Sequence, residues 1–227
     1  MRILLLVAIF VFCLNNVSAQ IKVYPVKVGE IPNKVLPNEA MYVLPAFAKG
    51  IVLLRDGTSS TYLFNYNYLL DEMHFIAERG DTLAIADPML ISSVVIDSML
   101  FYYDKGYVIV VLKIGNYKLA VKQQMVQVAD KTRGGYDVAS GSSAIKTYGT
   151  ISNQNSMMYR LQVQKDVVFQ KETSFYIADA SNHFLRASKK NFYTLFGEKR
   201  MPEYLKKHKV NFSNEEDLKA LMRFCLQ

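Results

Sequence analysis

Hydrophobic and polar positions follow three regimes along this chain. Residues 3–14 form a nearly unbroken apolar run behind Met1-Arg2. From 41 to about 128, β-branched and aromatic runs, at 51–54, 61–66, 73–77, 94–96 and 107–114, alternate with turn residues. Asp56-Gly57, Arg79-Gly80-Asp81, Asp104-Lys105-Gly106 and Gly115-Asn116 punctuate them. Runs of this length joined by short turns predict an antiparallel meander that curls into a barrel or closes as a sandwich. Residues 159–178 return to strand patterning, centred on 167–169 and 174–177. Beyond 188 the apolar positions fall at helical spacing.

Between these regimes lie two stretches of different character. Residues 20–40 contain Pro25, Pro32 and Pro37 in a polar setting, which predicts an extended arm rather than a helix. Residues 129–158 are rich in Gly, Ser, Asn and Thr, too long for an ordinary connection, and predict a flexible loop. At the C-terminal end Ser188 is placed to cap one helix and Pro202 suits the first turn of another. The run Ser213-Asn214-Glu215-Glu216 reads as a capping box with Ser213 as the cap. The expected division is a signal peptide at 1–19, an arm at 20–40, an antiparallel β domain at 41–180 and a helical segment at 181–227. The fold class is α+β, with two or three short C-terminal helices on the β domain.

The first apolar run sets an address. It is shorter than the ~20 residues a membrane-crossing helix needs. A polar stretch ending in Val17-Ser18-Ala19 follows, with small residues where a signal peptidase reads. Cleavage after Ala19 leaves Gln20 first, in an exported chain with no transmembrane helix. Cys13 leaves with the leader, and Phe12 before it is unlike the small residue that precedes a lipidated cysteine. Cys225 then stands alone, so no internal disulfide is expected. It shares a helical stripe with Leu218, Leu221 and Met222 and reads as a small buried hydrophobe.

Charge narrows the partners. The chain carries 27 Lys and Arg against 20 Asp and Glu, a net +7. The excess gathers in 186–209, where Arg186, Lys189, Lys190, Lys199, Arg200, Lys206, Lys207 and Lys209 face only Glu198 and Glu203. Lys199, Arg200, Lys206, Lys207 and Lys209 are the candidate surface for an anionic partner: an envelope protein, a surface polymer or an anionic membrane face. An exported chain without a nucleic-acid motif points away from nucleic acid.

Candidate chemistry is sparse. Glu72 and His74 alternate on a strand and share a face, but His183 and His208 lie in dissimilar segments, so no metal site is expected. Tyr62, Phe64, Tyr66 and Tyr68 also alternate and are candidates either to line a ligand cavity or to pack a core. Arg79-Gly80-Asp81 invites an adhesion reading, although Gly and Asp are residues that a hairpin turn favours in any case. No serine elbow, Cys–His pairing, two-histidine zinc helix or phosphate loop is present. No catalytic residue and no cofactor are therefore expected.

Three stretches carry a resemblance: G-I-V-L-L-R-D-G-T with F-N-Y-N-Y-L-L-D-E-M-H-F in 50–75; V-V-I-D-S-M-L-F-Y with G-Y-V-I-V-V-L in 94–112; and M-P-E-Y-L-K-K-H-K-V-N-F-S-N-E-E-D-L-K-A-L in 201–221. In this order they resemble a group of secreted proteins from Bacteroidetes-type Gram-negative bacteria. The resemblance implies a location in the periplasm or at the outer membrane, and no particular reaction. The expected function is a non-enzymatic interaction protein of the envelope. The alternatives are a carrier or sensor of an apolar small ligand held in the β domain and, third, a hydrolase without a recognisable motif.

Overall fold

β-branched and aromatic residues alternating between glycine-bearing turns build one large antiparallel sheet. The computed structural model describes residues 22–128, 162–197 and 200–227. The leader with its cleavage after Ala19, Cys13, the loop at 129–158 and Lys199 lie outside the described residues. The strands are β1 (Val23–Val26), β2 (Ala48–Leu54), β3 (Ser59–Asn67), β4 (Glu72–Ile76), β5 (Thr82–Ala84), β6 (Ile91–Ile96), β7 (Met99–Tyr103), β8 (Tyr107–Ile114), β9 (Tyr117–Val128), β10 (Val167–Ala178) and β11 (Leu185–Arg186). Their order across the sheet is β1-β10-β9-β8-β7-β6-β2-β3-β4-β5, with β11 also on β10. Two meanders, β2 to β5 and β6 to β10, therefore meet back to back at the β2–β6 pair. The sheet is not closed, so it is sandwich-like rather than a barrel.

The curl of the sheet brings distant strands together. The Met125 amide of β9 donates to the Tyr68 carbonyl just beyond β3 at 3.1 Å, and the Tyr68 amide donates to the Met41 carbonyl at 2.6 Å. Inside this curl, Phe64, Tyr66, Met73, Val94, Ile96, Phe101 and Phe169 are essentially inaccessible to solvent. Gly50 permits a close approach of β2 to its neighbours β3 and β6. A Cβ there would lie 2.6 Å from the Val95 carbonyl oxygen and 2.9 Å from a ring carbon of Phe64.

The N-terminal segment departs from its sequence expectation. It begins as β1, paired with β10, but then makes two single helical turns, α1 (Pro32–Val35) and α2 (Asn38–Met41). Pro32 opens α1, where a missing N–H costs nothing and the fixed φ favours the helix, so this proline starts helix instead of forbidding it. Ala40 and Met41 are buried against the core.

Three helices follow β11: α3 (Lys189–Phe196), α4 (Met201–Lys207) and α5 (Glu215–Leu226). They cover β8, β9 and β10 through a second core of Leu119, Val121, Ile177, Phe192, Met201, Leu218, Leu221 and Met222. Each such large apolar side chain, fully buried, contributes roughly 1.5–3 kcal/mol. Ser188 caps α3 as its side chain accepts from the Asn191 amide at 3.2 Å. The α5 cap is Asn214, one residue later than the sequence indicates. Its side chain accepts from Asp217 N–H at 3.0 Å, while the Ser213 amide is held by Asn211 in the preceding turn. Cys225 is buried on the α5 stripe with Leu218, Leu221 and Met222.

Candidate functional site

Three features of the sheet carry polar chemistry or exposed apolar surface, and the first is buried. Asp71 sits in the turn after β3 with φ +54°, a conformation that Asp tolerates better than most residues. Its Oδ1 accepts from the Tyr66 hydroxyl at 2.6 Å and the Tyr107 amide at 3.1 Å. Its Oδ2 accepts from Lys122 Nζ at 2.9 Å and Gln124 Nε2 at 3.4 Å. Four donors thus occupy the roughly four lone-pair sites of a carboxylate. Lys122 also reaches the Lys105 carbonyl at 3.4 Å. The pair is almost dry, with side-chain exposures of 10% for Lys122 and 6% for Asp71. Gly106, at φ +123°, must lack a Cβ because that atom would collide with both partners.

This ion pair ties the β3–β4 turn and the β7–β8 turn to β9, so it holds the curl of the sheet. Both charged groups are bonded to protein neighbours, the carboxylate by four donors and the amine by two acceptors. The surrounding phenols are held protonated. Burial first, then the Asp71 charge, raises the Tyr66 hydroxyl well above its ordinary value; the same two causes raise Tyr107. Burial alone pushes Tyr68 to about 12.

The second feature joins Glu72, His74 and Tyr42. Glu72 Oε2 lies 2.9 Å from His74 Nε2, and His74 Nδ1 lies 2.9 Å from the Tyr42 hydroxyl. The two residues that share a strand face in the sequence therefore bind each other, and both ring nitrogens are engaged. Tyr42 belongs to a strap, residues 42–46, that runs along β3 beyond the start of β2: Tyr42 bridges Asn67, and the Val43 amide donates to the Tyr66 carbonyl at 3.0 Å. Asn65 fastens it by accepting from Leu44 N–H at 3.1 Å and donating to the Leu44 carbonyl at 2.9 Å. Among the described residues, no group of three or more His, Cys, Asp or Glu is arranged to hold a metal.

The third feature is exposed. Ile51 and Leu53 of β2, Leu63 of β3 and Val95 of β6 are between 39% and 51% exposed. Ile51 pairs with Val95, Val95 with Leu100, and Leu63 with both Lys49 and Ile76. Alternation puts these residues on one face, while Val52, Val94 and Phe101 face the core. On one side of this patch Asn65 and His74 are buried and bonded to Leu44 and Tyr42 of the strap. On the other side, Phe184 covers Val108, Ala120 and Ala178. Between these two regions the aliphatic side chains meet solvent.

The aromatic candidates separate. Phe64, Tyr66 and Tyr68 are at most 4% exposed, whereas Tyr62 is 39% exposed at the rim. Tyr66 packs on Tyr68, Phe101 and Tyr107 with ring centroids 5.5–5.8 Å apart, and Tyr62 packs on Phe75 at 5.1 Å. The Tyr66 contacts are core packing, and Tyr62–Phe75 is a cross-strand contact at the rim. Of the basic candidates, Arg200, Lys206, Lys207 and Lys209 are exposed, and Lys207 pairs with Glu203 at 3.5 Å. Arg200 and Glu203 line an open depression of about 340 Å³ with Phe224 and Gln227, in which opposite charges offset one another. Burial raises the Cys225 thiol against the smaller opposing effect of Arg200.

Asp71, Lys122, Tyr107 and the strap escaped sequence reasoning. Asp71 and Lys122 are 51 positions apart, and a lysine within a strand reads as surface. The one local signal was Asp71 beside a run of seven buried residues, 64–70.

No helix among the described residues is long and apolar enough to cross a membrane. Comparison of the chain with protein-family models, with curated proteins and with solved structures finds no match. The fold and its surfaces define a class by themselves: an open, curled antiparallel sheet, capped by helices on one side and bare over part of its outer face.

Proposed function

We propose that this chain is a non-enzymatic binding protein of the Gram-negative cell envelope, exported to the periplasm or outer membrane and processed after Ala19. It docks an envelope protein through the bare outer face of β3, β2 and β6. The observation that carries this reading is the group Ile51, Leu53, Leu63 and Val95, four aliphatic side chains exposed together between two covered regions. Lys49, Ser59, Thr61 and Ser93 share this face, and exposed apolar side chains gathered within a polar setting mark interaction sites on proteins. The buried polar groups favour binding over catalysis, because Asp71, Lys122 and His74 are engaged by neighbouring protein groups.

The test is binding of the processed chain to envelopes of the native host. Replacing Ile51 and Val95 together by lysine should weaken binding about tenfold or more while secondary structure is retained. Binding through an apolar face should persist as salt rises. Binding through Arg200, Lys206, Lys207 and Lys209 would instead fall steeply, because exposed charges are screened over about 10 Å at 0.1 M. Undiminished binding by the double variant, or binding lost in moderate salt, would overturn the reading in favour of the basic surface.

A further inference from the structure

The β4–β5 hairpin presents Arg79-Gly80-Asp81 at its tip. The Gly80 amide donates to the Ala77 carbonyl at 2.9 Å, and the Ala77 amide donates to the Asp81 carbonyl at 2.9 Å, which closes a tight turn. Gly80 has φ +88°, so the turn itself requires glycine there. It makes no comparable demand on Arg79 or Asp81. All three residues are exposed, and β5 is the outermost strand, with no strand beyond it in the sheet.

Three other loop aspartates have local work, whereas Asp97, exposed in the β6–β7 turn, has none among the described residues. Asp56 accepts from the amide and hydroxyl of Thr58 at 2.8 and 2.7 Å. Asp87 accepts from the Met89 amide at 3.0 Å, and Asp179 accepts from the amide and hydroxyl of Ser181 at 2.9 and 2.6 Å. Asp81 does nothing of this kind. Among the described residues neither its carboxylate nor the Arg79 guanidinium has a hydrogen-bond or ion-pair partner. The tip therefore displays a free anion and a free cation on either side of a residue without a side chain.

We propose that this tip is an adhesion ligand for a receptor that reads Arg-Gly-Asp. The Asp81 carboxylate supplies a hard oxygen ligand to a divalent cation in the receptor, as Mg²⁺ and Ca²⁺ prefer. The Arg79 fork pairs with a receptor carboxylate. Gly80 lets the receptor surface approach the backbone. This site lies on a different surface from the bare face of β2 and β6 and goes beyond the function proposed above.

The experiment immobilises the full exported chain and adds a purified, cation-dependent Arg-Gly-Asp adhesion-receptor ectodomain in Mg²⁺ or Mn²⁺. Binding is expected. Chelation of the cation, excess linear Arg-Gly-Asp peptide and Asp81→Glu should each weaken it about tenfold or more, since Glu keeps the charge but moves it by one methylene. An unchanged thermal midpoint for Asp81→Glu shows that the fold is intact. The Ile51→Lys, Val95→Lys double variant should bind this receptor as the parent does, which separates the two proposals. No binding by the parent chain, or binding that survives the peptide and Asp81→Glu, overturns the inference.

Discussion

Replacing Lys122 by methionine would remove the cation from the buried pair while keeping most of the side-chain volume. Asp71 would then remain almost fully buried, held by Tyr66, the Tyr107 amide and Gln124 but without a countercharge. Breaking a buried pair from one side costs about 3–5 kcal/mol, because an uncompensated charge is left in a dry site. For a domain of this size each kcal/mol lowers the thermal midpoint by about 2–4 °C, so a fall of roughly 6–20 °C is expected. Urea denaturation of the parent, Lys122→Met, Asp71→Asn and the double variant measures the coupling directly. Asn tolerates the positive φ of Asp71, so the second change tests charge rather than backbone strain. The double variant should be more stable than the sum of the single losses implies, by about 1–3 kcal/mol. A loss below about 1 kcal/mol for Lys122→Met would put the pair among ordinary surface ion pairs and refute its role in holding the curl.

Gly50→Ala should cost about 1–3 kcal/mol through overpacking against the Val95 carbonyl and the Phe64 ring, and an unchanged urea midpoint would contradict that close approach. Stability should fall above pH 10: Tyr66, Tyr68 and Tyr107 keep their protons in the fold at pH values where the unfolded chain, titrating near 10, loses them. With three such tyrosines the slope approaches about 4 kcal/mol per pH unit, easing as Tyr68 ionises, and native tyrosinate absorbance appearing for every tyrosine near pH 10 would refute it. Cys225→Ala should cost on the order of 1 kcal/mol, and the native thiol should react slowly with thiol reagents because burial raises it; rapid labelling of the folded chain would overturn both.

The sequence made the sheet legible wherever one face is wet. β8 spans residues 107–114 as its apolar run indicates, and the turns at Gly57, Gly80, Lys105-Gly106 and Gly115 all adopt positive φ. β9 was harder to read because Lys118, Lys122, Gln123 and Gln124 interrupt its apolar positions. Two of these polar residues, Lys122 and Gln124, turn inward to Asp71, a contact that only the curl creates. Alternation placed Phe64 and Tyr66 on one face correctly, but Tyr62 sits at the exposed rim and Tyr68 lies past the end of β3. The α5 cap moved from Ser213 to Asn214 because the turn at Asn211 engages the serine amide. The bare face was not legible at all. Ile51, Leu63 and Val95 look like core residues in sequence, and only the pairing of β2 with β3 and β6 shows that they lie on the outer face.

Site-specific photo-crosslinking in the native host tests the proposed docking of a partner on this bare face. A photoreactive side chain placed singly at Ile51 or Val95 should give one discrete adduct, the same at both positions. The same probe at Glu216, exposed on α5, should not give that adduct. No adduct at 51 and 95, or an identical pattern at all three positions, would contradict the account.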